Sequence, residues 1–187
     1  MLNTWQEWVG TETGVVVGGV LGIPVAVLAM LLLGLYRRSG KHPAPWRTAI
    51  ADVGLFWGTL PWVWLLLLPG SSSELSLVPF ADVVDLLSHR DFGQIVGNVL
   101  VFAAFGFFGP LRFAALRSVW RVLLVAGACS TLIEIAQFTM LHRVSSVDDV
   151  LLNSAGAALA SLLSWRWWRP RPAVVPDRQL VAVSRPA

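Results

Sequence analysis

A chain of 187 residues that is 56% hydrophobic and 13% charged, with a formal net charge of +3, is too apolar for an ordinary soluble domain, where about 25% of residues are charged. Its long apolar runs and mean hydropathy of +0.67 point to a polytopic membrane protein with room for one helical domain. A pI of about 10.0 does not make it a nucleic-acid binder, because the basic residues lie in loops between apolar runs rather than on one phosphate-binding face.

Residues 1–13 read as an external N-terminal segment carrying Trp5 and Trp8 but no Lys or Arg. Without a basic n-region, a cleaved signal peptide is not expected. Spans are expected at residues 14–36, 49–68, 93–111, 119–141 and 147–165. Each approaches the roughly 20 apolar residues that cross a hydrocarbon core. The backbone in lipid must satisfy itself, so these segments are helices. The fold class is therefore all-α: a membrane helical bundle of about five transmembrane helices over residues 14–165. A Pro- and Arg-rich cytoplasmic tail, residues 166–187, has a composition that predicts disorder. Pro24 and Pro61 predict kinks in the first two spans. Glycines at 14, 18 and 22, and again at 93 and 97, form small-residue ladders that let helices approach closely. The same ladders would also serve a homo-oligomer. Asp52 stands alone near the start of the second span and reads as solvated or capping.

The loop 69–92 opens on the flexible Gly70-Ser71-Ser72-Ser73. It continues with Val83, Val84, Leu86 and Leu87 on one helical face, which predicts a short amphipathic helix on the outer leaflet. Every basic residue except Arg90 and Arg143 follows the first, third or fifth span, or opens the fourth. The positive-inside rule makes that side cytoplasmic, with the N-terminus outside and the C-terminus inside. Trp46, Trp120, Trp165, Trp167 and Trp168 fall near the same boundary, as interfacial aromatics do; Trp57, within the second span, reads as a packing residue.

Polar residues interrupt the last three spans. A carboxylate or Arg at a helix centre costs about 2.5–3.5 kcal/mol even on the lenient insertion scale, so such residues are functional candidates. At about 1.5 Å of rise per residue, Asn98, Glu134, Gln137 and Asn153 lie about 6–10 Å below the outer edge, with Asp148 and Asp149 at the edge itself. Glu134 shares a helix face with Gln137, and Asp149 with Asn153. Gly156 continues the second face and would admit a neighbouring helix or ligand. Arg143 can fold back over the carboxylates. Glu134 could then pair with Arg143, accept from Asn98 or Asn153, or stay neutral. The candidate ligand-binding set is Asn98, Glu134, Gln137, Arg143, Asp148, Asp149 and Asn153, with Glu134 the catalytic candidate. The structural alternative is interhelical hydrogen bonding, with Asp148 serving the helix dipole. Glu134, Asp148, Asp149 and Asn153 are oxygen ligands of the kind hard cations take, but no loop spacing supports a metal centre. No metal and no cofactor is expected. Cys129 is the only cysteine, so no intrachain disulfide forms. Ser145 and Ser146, beside Asp148 and His142, read as a turn rather than as a nucleophile.

The segments 97–111 and 130–156 resemble the VanZ-like family of bacterial membrane proteins. The resemblance rests on Asn98, Gly106, Pro110, Glu134, Gln137, Arg143, Asp148, Asp149, Asn153 and Gly156, with LVPF at 77–80 before the third span. It covers residues 31–163. Ser146 departs from the pattern, in which many relatives carry an acidic residue. The resemblance implies the bacterial cytoplasmic membrane, a role in the cell envelope and a link to low-level teicoplanin resistance. It implies no established reaction, and no acyl-transfer constellation is present.

Two functions follow. In one, an outer-leaflet pocket binds membrane lipid, a lipid-linked cell-wall intermediate or an amphiphilic antibiotic, with Arg143 holding phosphate or carboxylate. In the other, an intramembrane enzyme modifies a lipid-linked substrate with Glu134 as general acid or base. A transporter is disfavoured because no inverted repeat is evident.

Overall fold

The computed structural model describes residues 11–90 and 92–169. Trp5, Trp8 and the tail from Pro170 lie outside the described residues. Helix α1 (Glu12–Leu21) is capped by the Thr11 hydroxyl, which accepts from the Gly14 N–H at 3.0 Å. It meets α2 (Ile23–Ser39) at Gly22 in a bend of 41°. Pro24 cannot donate to the preceding turn, so the break falls just ahead of it. The bend seats Trp57: a Cβ on Gly22 would overlap its ring, and its Nε1 donates to the Gly19 carbonyl at 3.3 Å.

Helix α3 (Pro45–Leu66) starts on a proline, whose missing N–H costs nothing in a first turn. A two-residue strand β1 (Leu75–Ser76) and helix α4 (Ala81–His89) follow. Helices α5 (Phe92–Val101) and α6 (Ala103–Arg112) run on with a break at Phe102 and together form one 21-residue apolar segment. After a short 3-10 turn come α7 (Val119–Met140), strand β2 (Ser145–Ser146) and α8 (Val147–Trp168). The two strands pair in parallel, Leu75 with Ser145 and Ser76 with Ser146.

Helix α3, the α5–α6 segment and α7 are each long and apolar enough to cross a membrane, and the bent α1–α2 pair makes a fourth if it is one span. The remaining expected span, α8, is 22 residues long but polar at its start and lined with small residues. Its modest hydropathy has a packing cause. Ten of its residues, among them Asn153, Ser154, Ala157, Ser161 and Ser164, are buried against other helices. Small and polar residues on that face suit close packing, while Leu159, Leu162 and Leu163 on the other side remain exposed. The core lies where α5, α6, α7 and α8 meet, around Val101, Phe102, Val122, Ala126 and Ala157.

Helix backbones approach each other most closely at Gly106 and Gly156. A Cβ on Gly106 would overlap the Ala157 carbonyl, and one on Gly156 would overlap that of Val99. The glycine ladders serve only in part: Gly22 makes room for the Trp57 ring, but a Cβ at Gly18 or Gly97 would meet nothing within 4 Å. Trp168 also departs from its interfacial assignment. It is buried, with its Nε1 donating to the Ser161 carbonyl and the Ser164 hydroxyl, both at 3.1 Å.

Asp52 is not isolated. One carboxylate oxygen meets Arg37 of α2 and the other meets Arg112 of α6, each at 2.5 Å. This triad ties α2, α3 and α6 at the basic end of the bundle. Replacing Asp52 with Ala is expected to cost about 1 kcal/mol, the upper range for a partly exposed ion pair. Thermal unfolding in detergent should show a drop in Tm that shrinks as salt is added. An unchanged Tm would mean the triad contributes no net stability.

Candidate functional site

At the opposite end, the start of α1, the C-terminal turn of α3 and the loop after it, strand β2, α4, and the adjoining ends of α5, α7 and α8 line a cavity of about 1040 Å³. Its polar wall includes Asp82, Asp85, Gln94, Asn98, Gln137, Arg143, Ser146 and Asp149. Each candidate is placed by a local reason. Asn98 faces Asp149 across the α5–α8 contact, its Nδ2 donating to Oδ1. Gln137 is buried and donates through Nε2 to the Leu66 carbonyl at 2.8 Å. Arg143 donates through Nη1 to the carbonyls of Leu65 and Leu68, at 3.2 and 3.3 Å. Both side chains thus bond carbonyls at the end of α3, where the helix ladder stops; that of Leu65 also accepts from the Leu68 N–H at 3.3 Å. Among the described residues Arg143 forms no ion pair; it shares the cavity with Asp149, and its charge acts on both Asp149 and Glu134 without bonding to either. Gly70 is the residue that lets the loop pass: a Cβ there would press on the Arg143 side chain and the His142 carbonyl.

Glu134 is 7% exposed. Its Oε2 accepts from the Ser146 N–H at 3.0 Å, and its main-chain carbonyl accepts from the Ser145 hydroxyl at 2.7 Å. It does not line the large cavity. It lines a separate apolar recess of about 440 Å³, with Leu75, Leu77, Phe138, Val147 and Val150. Ser146 borders both spaces. Its hydroxyl donates to Asp82 Oδ2 and accepts from the Asp148 N–H at 3.0 Å, capping α8.

Asp148 lines neither space. It is 1% exposed and accepts three backbone N–H bonds, from Phe80 at 2.5 Å, Asp82 at 3.0 Å and Val83 at 3.1 Å. These donors are the orphan amides at the start of α4, so Asp148 caps a helix other than its own. Asn153 also lies elsewhere, between α7 and α8, where Nδ2 donates to the Ser130 hydroxyl at 2.8 Å and Oδ1 has no hydrogen-bond partner among the described residues.

Of the sequence candidates, Asn98, Gln137, Arg143 and Asp149 therefore share the cavity, Glu134 sits in the adjoining recess, and Asp148 and Asn153 stand apart. The residue the sequence did not select is Asp82. Its oxygens accept from the Ser76 and Ser146 hydroxyls and hold α4 to both strands. The only signal for it was its place just after the Leu77–Phe80 element. Chemically, Asp82, Asp85 and Asp149 outweigh Arg143, so the cavity is rich in acceptors and suits ligands that bring hydroxyl, amide or ammonium donors. Among the described residues no three Asp, Glu, His or Cys side chains converge as a metal site requires. A family model described as VanZ/LLP1 matches residues 25–169. No match was found among curated proteins or among solved structures.

Proposed function

The chain belongs to the VanZ/LLP1 family, and from that premise we propose that it binds an amphiphile in the outer leaflet of the bacterial cytoplasmic membrane. The ligand is a lipid, a lipid-linked envelope intermediate or a lipid-tailed glycopeptide such as teicoplanin. The observation that carries this reading is the adjacency of two unlike spaces. The polar cavity of about 1040 Å³ takes the head, the apolar recess of about 440 Å³ takes part of a tail, and Ser146 is common to both. The orientation is the one the basic residues dictate, with α8 as the last of about five spans and the cavity on the outside. Phe80 and Val84 are each 63% exposed. That apolar surface suits α4 to an interfacial position, dipping into the leaflet the ligand would come from.

The test is drug susceptibility in a glycopeptide-sensitive Gram-positive host, at matched membrane abundance. The wild-type chain should raise tolerance to teicoplanin and not to vancomycin, which lacks the acyl tail. Asp149→Asn removes the charge that Asn98 orients and should weaken ligand binding about tenfold, the effect of about 1.4 kcal/mol. Equal protection by wild type and Asp149→Asn would remove the cavity from the function.

A second reading, an intramembrane enzyme, draws on one contact: the Ser146 hydroxyl is held by Asp82 while its N–H holds Glu134. Here Glu134→Gln should abolish turnover of a lipid-linked substrate and leave binding intact. A Glu134→Gln protein that keeps full function makes Glu134 structural.

A further inference from the structure

The basic end of the bundle carries a second cavity, of about 520 Å³, between the start of α3 and the ends of α6 and α8. Its wall is apolar and aromatic. The Phe107 ring lies 5.0 Å from Phe108 and 5.8 Å from Trp167, centroid to centroid. Phe108 is seated against Gly54 of α3, where a Cβ would meet its ring at 2.5 Å. The three helices thus build one continuous ledge. Two arginines, Arg47 from α3 and Arg166 from α8, stand on its rim.

Most other arginines at this end are already engaged. Arg37 and Arg112 share Asp52. Arg117 donates to the Pro110 carbonyl and Arg121 to that of Ala115. Arg169 stacks on Trp165. Arg47 and Arg166 are exposed and have no hydrogen-bonding or ionic partner among the described residues. Two guanidinium groups from separate helices, without partners among the described residues, line one cavity and offer positive charge to an anion beside an apolar, aromatic floor.

The geometry points to a binding site for the phosphate headgroup of an anionic phospholipid, held by Arg47 and Arg166, with its acyl chains along Phe107, Phe108 and Trp167. The orientation proposed above puts this site in the inner leaflet. The charge pairing does not depend on what the outer cavity binds, so the two readings stand or fall separately. A zwitterionic headgroup brings its own ammonium to the two arginines and should be held less well, because like charges oppose.

The experiment is native mass spectrometry of the full chain released from detergent containing equal phosphatidylglycerol and phosphatidylcholine. Wild type should retain phosphatidylglycerol in preference. Arg47→Gln with Arg166→Gln should lower that retention about 30-fold, from about 1 kcal/mol for each basic residue near the surface. Arg38→Gln with Lys41→Gln, which changes two nearby charges that do not line the cavity, should leave retention as in wild type. Unchanged Tm in both double variants confirms that only the headgroup site was altered. Equal retention of the two lipids by wild type overturns the site. So does an Arg47 and Arg166 double variant that still prefers phosphatidylglycerol, an equal loss in the Arg38 and Lys41 control, or a second copy of the chain found on this face instead of lipid.

Discussion

Asp148→Ala is expected to release α4 from the bundle, at a cost of about 3 kcal/mol. Its carboxylate is buried and accepts the N–H groups of Phe80, Asp82 and Val83, and nothing else at the start of α4 caps them. Hydrogen bonds to a charged acceptor are the strong ones, and losing the acceptor strands three donors at once. Phe80 itself has φ of 66°, in the left-handed region that non-glycine residues rarely adopt. That conformation is sustained by its short bond to Asp148. The measurement is Tm in detergent together with limited proteolysis of the segment around α4. Cleavage there should appear in Asp148→Ala before the rest of the bundle melts. Asp148→Asn keeps one carbonyl acceptor and should show a smaller loss. If Asp148→Ala melts as wild type does and resists cleavage, the capping role is refuted.

The second large effect is expected at the contact of α8 with α5 and α6. Gly156→Ala drives a Cβ into the Val99 backbone, and Gly106→Ala drives one into the backbone of Ala157. Neither neighbour is a flexible side chain that could swing aside. Overpacking of this kind costs about 1–3 kcal/mol. The two glycines serve adjacent parts of one helix contact, so the changes should couple. Once one Cβ has pushed the helices apart, the second meets less resistance, and the double variant should lose less than the sum of the singles. Strict additivity of the Tm shifts would mean that the two approaches yield independently. The same separation would pull Asn98 away from Asp149, so cavity function should fall with stability in these variants.

The helical period was legible in the sequence, and so was the level of the polar residues. Rise per residue puts Asn98, Glu134, Gln137 and Asn153 near one depth, yet of these only Asn98 and Gln137 line the large cavity, where Asp149 joins them from the edge. What the sequence could not supply was the partner of each group. Asp148 and Asp149 are neighbours, but a helix turns about 100° between them. One therefore reaches the α4 amides and the other reaches Asn98. Asp52 looked solitary because its arginines lie 15 and 60 residues away in the chain. Arg143 looked like a partner for acids, yet the carbonyls that end α3 claim it first. The bend at Gly22 followed from Pro24, but the glycine ladder around it did not predict that a tryptophan would fill the notch.

The paired strands have a consequence for exchange. The Ser145 N–H goes to the Glu74 carbonyl, the Ser146 N–H to Glu134, and the first amides of α4 to Asp148. Asp82 joins the same set through two serine hydroxyls. These bonds link residues 74–90 to the Ser145–Ser146 strand, so the two segments are expected to open as one cooperative unit. In deuterated buffer the amides of Phe80, Asp82, Val83, Ser145 and Ser146 should therefore share one protection factor, below that of the buried helix α8.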